Sequence, residues 1–328
     1  MTITMQTSTI DVSICMLTYF HEKYIRQAIE SVLSQKTHYT YEIVISDDCS
    51  QDGTRKIIQE YHDKHPELIR INLNETNQGI PQNMFIARSM CRGRYIVHLS
   101  GDDYWINDRK LEIQIGFLDD HPEYVGAACR IELRMDDSDT AYDLIPMDDS
   151  RLNIPYTISD YERCIPLATH GLMMRNFFDT EEGREYFAQA RSISKYVDDA
   201  VDEVLLLRKG PVYVLDLISD AHRVVNVSTE KHNYNSRYSR IDKFRHHIEL
   251  INNMNSLWGE EIDYTNWYAE HTATGIVGML SSMKIKEYMR AFEEIPMEYR
   301  KPFYRSVYIK SIPHIAGMIK SRLSRRSH

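Results

Sequence analysis

Polar and acidic residues stand at the ends of three apolar runs in the first third of the chain. In order along the chain they are Thr18 and Tyr19, Asp47 and Asp48, and Asp102 and Asp103. The carboxyl ends of parallel strands meet at one edge of an open α/β sheet, where ligands bind at the switch point of the strand order. If the three runs are parallel strands, these side chains converge on one site.

The pair Asp102 and Asp103 follows an apolar run and Gly101, a pattern that suits a turn carrying oxygen ligands. Mg²⁺ and Mn²⁺ take such ligands, and one or two carboxylates hold them while substrate phosphates fill the remaining positions. The alternative interpretation is a polar turn that caps the next helix, and the segment DDCSQDGT from Asp47 to Thr54 has the same alternative. The occurrence of both acidic pairs at strand ends favours the binding site.

Several classes of protein are excluded by motifs that the sequence lacks. The first apolar run is not followed by GxGxxG, and GxxxxGK[ST] does not occur, so neither a dinucleotide fold nor a P-loop is supported. A phosphatase of the haloacid-dehalogenase type requires its aspartate motif directly after the first strand, where this sequence has LTYFHE. The net charge of −9 argues against nucleic-acid binding.

Apolar runs alternate with helical patterns through the first 135 residues, which predicts βαβ units and a mostly parallel sheet covered by helices on both faces. The predicted strands are Val12–Tyr19, Tyr41–Asp47, Ile69–Asn74, Tyr95–Ser100 and Val125–Met135. Residues 136–163 are polar and contain two prolines, so loops are predicted there. A further helix is predicted before Gly210 and a strand after it. Beyond residue 229 the predicted helices are 241–258, 266–283 and 285–295.

Three segments together resemble the inverting family 2 glycosyltransferases with the GT-A fold. VSICMLTYFHEKYIRQAIESVLSQ is similar to the opening strand and helix of that family, YEIVISDDCSQDGT to its second-strand motif, and NQGIPQNMFIARSMCRGRYIVHLSGDDYW to the stretch that leads into its metal motif. The resemblance implies a GT-A domain over residues 1–229, with a nucleotide-binding half at about 10–135 and an acceptor half at about 136–229. Residues 230–328 are expected to form a helical C-terminal region.

The resemblance assigns roles to residues of this sequence. Asp103 matches the family's metal ligand, which implies Mn²⁺ or Mg²⁺ as cofactor, and Arg223 matches a basic residue that approaches the diphosphate. Ser100 stands where many members carry a further aspartate. The residues that match the binding site for the nucleotide sugar are Thr18, Tyr19, Glu22, Asp47, Asp48 and Asp102.

The family's catalytic base is an aspartate at the start of a helix, about eleven residues before a glycine that precedes a strand. Asp199 has that spacing to Gly210, with Asp198 and Asp202 as alternates. The other interpretation is that these acids stabilise the positive end of the helix dipole.

The resemblance implies a metal-dependent inverting transferase that moves a sugar from a nucleotide-sugar donor to a saccharide or lipid-linked saccharide acceptor in bacterial surface polysaccharide assembly. The alternative is a non-catalytic nucleotide-sugar-binding or scaffold member of the same fold. Because no secretory signal or spanning segment is evident, a cytoplasmic location is expected.

The basic segment, residues 308–328, has isoleucines and a leucine at helical spacing among cations. It suits either an anionic membrane surface or packing on the protein itself or on a second copy in a homodimer.

Overall fold

The computed structural model describes residues 10–136, 140–178, 180–181, 183–185, 193–194, 199–224, 238–282 and 284–300. The strands are β1 (Val12–Thr18), β2 (Tyr41–Asp47), β3 (Ile69–Leu73), β4 (Tyr95–Ser100), β5 (Tyr104–Trp105), β6 (Gly126–Met135), β7 (Ala141–Ile145), β8 (Ile154–Tyr156), β9 (Met173–Arg175) and β10 (Val212–Val224). The helices are α1 (Ile25–Leu33), α2 (Thr54–Lys64), α3 (Ile80–Met90), α4 (Lys110–Asp120), α5 (Ile158–Glu162), α6 (Asp199–Leu207), α7 (Arg240–Trp258), α8 (Thr265–Ser282) and α9 (Ile285–Phe292).

The strands just named form one sheet in the order β3-β2-β1-β4-β9-β6-β10-β5, with β7 paired to β6 and β8 paired to β10. The pairs β3-β2, β2-β1, β1-β4 and β6-β10 are parallel, while β9, β5, β7 and β8 pair antiparallel to their neighbours. The strand order reverses at β1, where Leu17 lies opposite Ser46 on one side and Ser100 on the other. The carboxyl ends of β1, β2 and β4 therefore meet at one place.

The sheet is buried on both faces because helices cover it. Along β1, alternate residues point to opposite faces, yet Val12, Ser13, Ile14 and Met16 all have zero exposure. Helix α1 packs an apolar stripe against this core, consisting of Ile25, Ala28, Ile29 and Val32. The continuous apolar runs of the first strands are typical of such a doubly covered parallel sheet, and the predicted α/β class is confirmed.

The prediction of loops over residues 136–163 was wrong. This stretch contains β7, which pairs antiparallel with β6, and β8, which pairs antiparallel with β10, followed by α5. Strand β7 is five residues long and has no buried residue, and β8 is three residues long, so neither has the apolar run or the alternation of apolar and polar residues that predicts a strand. The predicted strand after Gly210 is part of one long strand, β10, which runs to Val224.

The chain divides into two compact units, of which the first comprises Met1–Ile158 and Pro166–His232 and the second Ser159–Ile165 and Asn233–His328. In the second unit, α7 begins with a capping box in which Ser239 and Asp242 satisfy each other's backbone amides. Helices α7 and α8 approach closely at Gly275, where a Cβ would lie 2.6 Å from the Phe244 ring. None of the helices in the described parts of the chain is both long enough and apolar enough to cross a membrane.

Candidate functional site

Asp103 is the most completely enclosed of the predicted site residues that follow β4. Its side chain is 4% exposed, and its Oδ2 lies 3.0 Å from Nδ1 of His222, near the end of β10. Its Oδ1 accepts the backbone N–H of Arg223 at 2.8 Å. Both oxygens therefore face β10. This strand lies beside Asp103 because it pairs antiparallel with β5.

Asp102 lies beside His21, whose Nε2 is 3.7 Å from its Oδ2. Burial by itself would raise the pKa of Asp102, but electrostatic interaction with His21, a hydrogen bond with Ser100 and electrostatic interaction with His222 outweigh burial and lower the pKa. Asp102 is consequently a carboxylate at neutral pH. Its neighbour Gly101 packs tightly, because a Cβ there would lie 2.9 Å from Nδ1 of His21 and 3.0 Å from Cβ of Thr18.

A three-residue cluster in the described part of the chain has the composition of a metal site. Asp103, His170 and His222 each offer one ligand atom, and these atoms all lie within 4.8 Å of one another. Burial favours the neutral form of His222, but the hydrogen bond and charge of Asp103, together with the charge of Asp102, raise its pKa. One carboxylate and two imidazoles are common ligands of divalent metals, so the residues present fit a divalent cation.

Arg223, predicted to approach a diphosphate, is 8% exposed and packs among aromatic rings. Its guanidinium carbon lies 4.6 Å from the centre of the Tyr104 ring and 5.3 Å from that of Tyr24. Its Nε donates to the backbone oxygen of Asp102 at 2.8 Å, and it also donates to Oε1 of Gln27. In this arrangement Arg223 fixes the turn that carries Asp102 and Asp103, and its contact with a diphosphate stays a prediction.

Asp47 and Asp48 are both buried and engaged with the polypeptide. Asp47 Oδ1 accepts the backbone N–H of Ser50 at 2.9 Å and Nε of Arg55 at 2.6 Å. Asp48 accepts the N–H groups of Gln78 and Gly79 at 2.7 and 3.0 Å, which fixes the loop before α3. Both aspartates thus order the loops at the carboxyl edge, and their contact with a nucleotide stays a prediction.

The loop after β1 is tied to the loop after β2. Oε2 of Glu22 accepts the Gly53 N–H at 2.8 Å, while the Tyr19 ring meets the Phe20 ring edge-on at 4.7 Å between centroids. The buried Oγ1 of Thr18 has no hydrogen-bond partner among the described residues. Thr18, Tyr19 and Glu22 are therefore gathered at the same edge as the predicted metal segment.

The three candidates for the base differ in their surroundings. Asp199 is the first residue of α6, and its Oδ1 accepts the N–H of Ala200 at 2.9 Å. Asp202 forms a two-pronged ion pair with Arg88, with an Nη1–Oδ1 distance of 2.7 Å. Asp198 lies outside the described residues.

Sequence reasoning missed one buried acid on the same helix. Glu203 follows Asp199 by one turn and is 7% exposed, and its Oε1 accepts the hydroxyl of Tyr156 at 2.6 Å. Burial raises the pKa of Glu203 to about 8, a shift that the Tyr156 hydrogen bond reduces and the charge of Asp199 increases. The signal for a buried carboxyl was the apolar run that follows Glu203 directly, Val204 to Leu207.

His170 was also missed. It lies in the three-residue 3-10 turn Thr169–Gly171 and precedes β9. Its ring centroid is 4.4 Å from that of His222. Because His170 is 67 residues beyond Asp103 and 52 before His222, no local spacing connects the three.

Half of the chain matches the profile of a known protein family. The profile described as "Glycosyl transferase family 2" matches residues 13–178, which is half of the chain. The chain belongs to glycosyl transferase family 2. The expected family is thus confirmed, and the match covers every strand from β1 to β9, apart from the first residue of β1.

Curated relatives are similar over about a third of the chain. An uncharacterised protein of Mycobacterium tuberculosis is 41% identical over 111 residues, which are 34% of this chain and 32% of that protein. TuaG of Bacillus subtilis, named as a teichuronic acid biosynthesis glycosyltransferase, is 40% identical over 107 residues, or 33% and 41% of the two chains. The aligned segments therefore span well under half the length of these relatives.

Solved structures share the fold. Residues 1–349 of Staphylococcus aureus TarS, crystallised with UDP-GlcNAc, superpose with a TM-score of 0.61 at 18% identity, covering 92% of this chain and 88% of that one. The mannosyltransferase PcManGT of Pyrobaculum calidifontis, in complex with GDP-Man and Mn²⁺, has a TM-score of 0.51 at 14% identity, covering 93% and 88%. The predicted GT-A fold with a helical C-terminal part is confirmed.

Proposed function

We propose that this protein transfers a sugar from a nucleotide-diphosphate sugar to an acceptor hydroxyl, with inversion at the anomeric carbon and with a divalent cation. The observation that carries the proposal is the buried Asp103, which stands at the carboxyl edge of β4 opposite His222, beside the switch point of the sheet. Family 2 membership supports transfer of a sugar as the reaction.

Asp103 and His222 would hold the cation, which supplies Lewis-acid stabilisation of the diphosphate leaving group when bound. Asp102, a carboxylate whose pKa is lowered by its surroundings, adds negative charge beside the cation and faces the donor ribose. Arg223 orders the turn that presents both aspartates. The carboxylate of Asp103 is an oxygen ligand of the kind that Mn²⁺ and Mg²⁺ take, and these are the two cations expected from the sequence.

The donor is bound at the loops that follow β1 and β2. We assign the nucleoside to Thr18, Tyr19 and Glu22 on one loop and to Asp47 and Asp48 on the other. Support comes from the hydrogen bond between Glu22 and Gly53, which joins the two loops, and from the unpartnered hydroxyl of Thr18 in the described structure. A polar atom left unsatisfied in a buried position is a natural contact point for a ligand.

Asp199 is proposed as the general base that accepts the proton of the acceptor hydroxyl. A single displacement inverts the anomeric carbon, so the base must act on the face opposite the leaving group. Asp202 is already paired with Arg88, which lowers its availability to a substrate, and this favours Asp199. A positioned general base contributes about 10²- to 10⁴-fold in rate.

We place the activity in the assembly of a bacterial surface polysaccharide, on a saccharide or lipid-linked saccharide acceptor at the cytoplasmic side of the membrane. The support is the naming of the relatives: TuaG for teichuronic acid biosynthesis and TarS as a poly(ribitol-phosphate) β-N-acetylglucosaminyltransferase. The basic segment 308–328, proposed to contact the membrane surface or a second copy of the chain, lies outside the described residues.

The test is a thermal-shift panel of UDP, GDP, dTDP and CDP sugars with Mn²⁺ or Mg²⁺, followed by assays of donor turnover. A ligand present at 100 times its dissociation constant stabilises a protein by about 2.7 kcal/mol. One nucleotide should stabilise the wild type with metal and fail to stabilise Asp103→Ala. Binding without any turnover across a panel of acceptors would instead favour the non-catalytic binding member of the fold, and no binding at all would contradict the proposal.

A further inference from the structure

The metal cluster contains a second histidine, His170, besides Asp103 and His222. The proposed function gives this residue no role. Asp103 follows β4, His222 lies near the end of β10, and His170 comes from a separate turn before β9. The candidate ligand atoms of the three lie within 4.8 Å of one another. Three distant parts of the chain therefore converge on one small volume.

We propose that His170 is a third protein ligand of the cation, and that the resulting site of two imidazoles and one carboxylate selects first-row transition metals over Mg²⁺. The inference rests on the divalent-cation site of the proposed function and names the class of metal that the site takes. His222 and Asp103 are already in contact, so His170 is the residue whose role is new.

The separations are compatible with one ion. Donor atoms bound at about 2.0 to 2.2 Å lie at most about 4.4 Å apart, so small side-chain rotations bring the cluster within bonding range. Asp103 is buried and held by the Arg223 N–H, whereas His170 is exposed. The carboxylate thus provides the fixed corner of the site, and the exposed imidazole is the ligand that adjusts.

The turn that carries His170 is firmly built into the first unit. Gln114 of α4 has zero exposure, and its Nε2 donates to the backbone oxygens of Gly171 and Ala127 at 2.9 and 2.8 Å. Gly171 lies so close to β6 that a Cβ would stand 2.6 Å from the backbone oxygen of Cys129. These contacts fix the backbone beside His170, so the position of its imidazole depends on rotation about the side-chain bonds alone.

The chemistry of the ligand atoms determines which metal the site prefers. Mg²⁺ requires an octahedral shell of oxygen ligands and retains its waters, whereas imidazole suits the first-row transition metals. A site with Asp103 as its one protein ligand would take Mg²⁺ and Mn²⁺ with little preference. With His170 and His222 added, affinity should rise along the series from Mn²⁺ to Co²⁺ and Ni²⁺, and Mg²⁺ should bind weakly.

The experiment measures metal binding by the full-length protein with metal alone, so its readout does not depend on turnover. Calorimetry gives the affinities for Mg²⁺, Mn²⁺ and Co²⁺, and electron spin echo modulation of bound Mn²⁺ counts the coordinated imidazole nitrogens. We expect two nitrogens in the wild type and one in His170→Gln. The same change should lower Co²⁺ affinity by about 10-fold or more and leave Mg²⁺ affinity within about two-fold.

Two control variants make the result decisive. His38→Gln removes an exposed histidine that contacts Glu112 and should change nothing, while Asp103→Asn should abolish binding of all three metals. Unchanged Co²⁺ affinity and nitrogen count in His170→Gln, with loss in Asp103→Asn, would overturn the role of His170 and leave the cation site of the proposed function standing. Two coordinated nitrogens in a protein that transfers no sugar would support His170 and contradict the proposed function alone.

Discussion

Asp199 and Asp202 are three residues apart on α6, yet they have different partners, and this separates them as candidates for the base. Asp199→Asn should lower kcat by about 10²- to 10⁴-fold and leave the dissociation constant of the donor unchanged, because the change removes the proton acceptor and retains the shape. Steady-state kinetics on the acceptor found by the donor panel would measure this. A variant that keeps wild-type kcat, or that loses donor binding together with turnover, would show that Asp199 is not the base.

Glu203 should make the stability of the protein depend on pH. Its pKa is raised from 4.5 to about 8 in the folded state, so the folded chain binds a proton that the unfolded chain has released between these values. By linkage, the free energy of unfolding then falls as pH rises through this window, by up to about 1.4 kcal/mol per pH unit. Glu203→Gln, which keeps the Tyr156 contact without the charge, should remove this contribution.

Urea unfolding of the wild type and of Glu203→Gln at pH 5, 6.5 and 8 would measure the effect. The variant should gain on the wild type as pH rises, and the difference should be largest at pH 8. A constant difference across the three pH values would mean that Glu203 ionises in the folded state near its ordinary pKa.

Helix α3 connects two parts of the proposed site, one at each of its ends. The loop at its amino end is held by Asp48 through the N–H groups of Gln78 and Gly79, and near its carboxyl end Arg88 binds Asp202 of α6. The loop proposed to bind the nucleotide and the helix of the proposed base are thereby fixed to one rigid element. Arg88 is 4% exposed and also contacts Nε2 of His98, so the guanidinium of this ion pair is shielded from solvent, while the Asp202 side chain is 20% exposed.

Arg88→Met should therefore lower the free energy of unfolding by about 2 to 3 kcal/mol, since it leaves the Asp202 carboxylate without its charged partner. Arg88→Met combined with Asp202→Leu should cost less than the sum of the two single changes, because neither partner is then left alone. Denaturant unfolding of the four proteins measures the coupling. Arg26→Met, which breaks a pair with Glu60 whose two side chains are nearly half exposed, is the matched control and should leave stability nearly unchanged. Strictly additive effects would contradict the pairing.

The parts of the fold that could be predicted are those whose signal is local. Continuous apolar runs indicated β1 to β4, and the polar residues after them indicated the carboxyl edge where Asp102 and Asp103 lie. Strand β7 has no buried residue to reveal it, and the three residues of β8 form a strand only through pairing with β10, where Tyr156 lies opposite Val212, 56 residues farther along the chain. The same reason applies to the site: Arg88 and Asp202 are 114 residues apart, and His170 reaches Asp103 only through the arrangement of the sheet.

The whole molecule has an uneven distribution of charge. Of the net −9, residues 299–328 contribute eight lysines and arginines and no acid, so the remainder carries −17. An acidic body is repelled by an anionic membrane, while each cation near the surface contributes roughly 1 kcal/mol of attraction. A protein with this distribution would approach an anionic membrane with the basic segment foremost.

We therefore expect the full-length chain to float with vesicles that contain anionic lipid, and a chain lacking residues 308–328 to remain unbound. Two variants separate the physical contributions: replacing Lys320, Arg322, Arg325 and Arg326 with glutamine removes charge, and replacing Ile312, Ile315, Ile319 and Leu323 with serine removes the apolar stripe. Electrostatic attraction should weaken with salt, and insertion of an apolar face should not, so flotation at 50 and 300 mM salt distinguishes them. If truncation leaves flotation unchanged, the segment does not bind the membrane. If the full-length protein is a dimer in solution and the truncated protein is a monomer, the segment forms a homodimer contact instead.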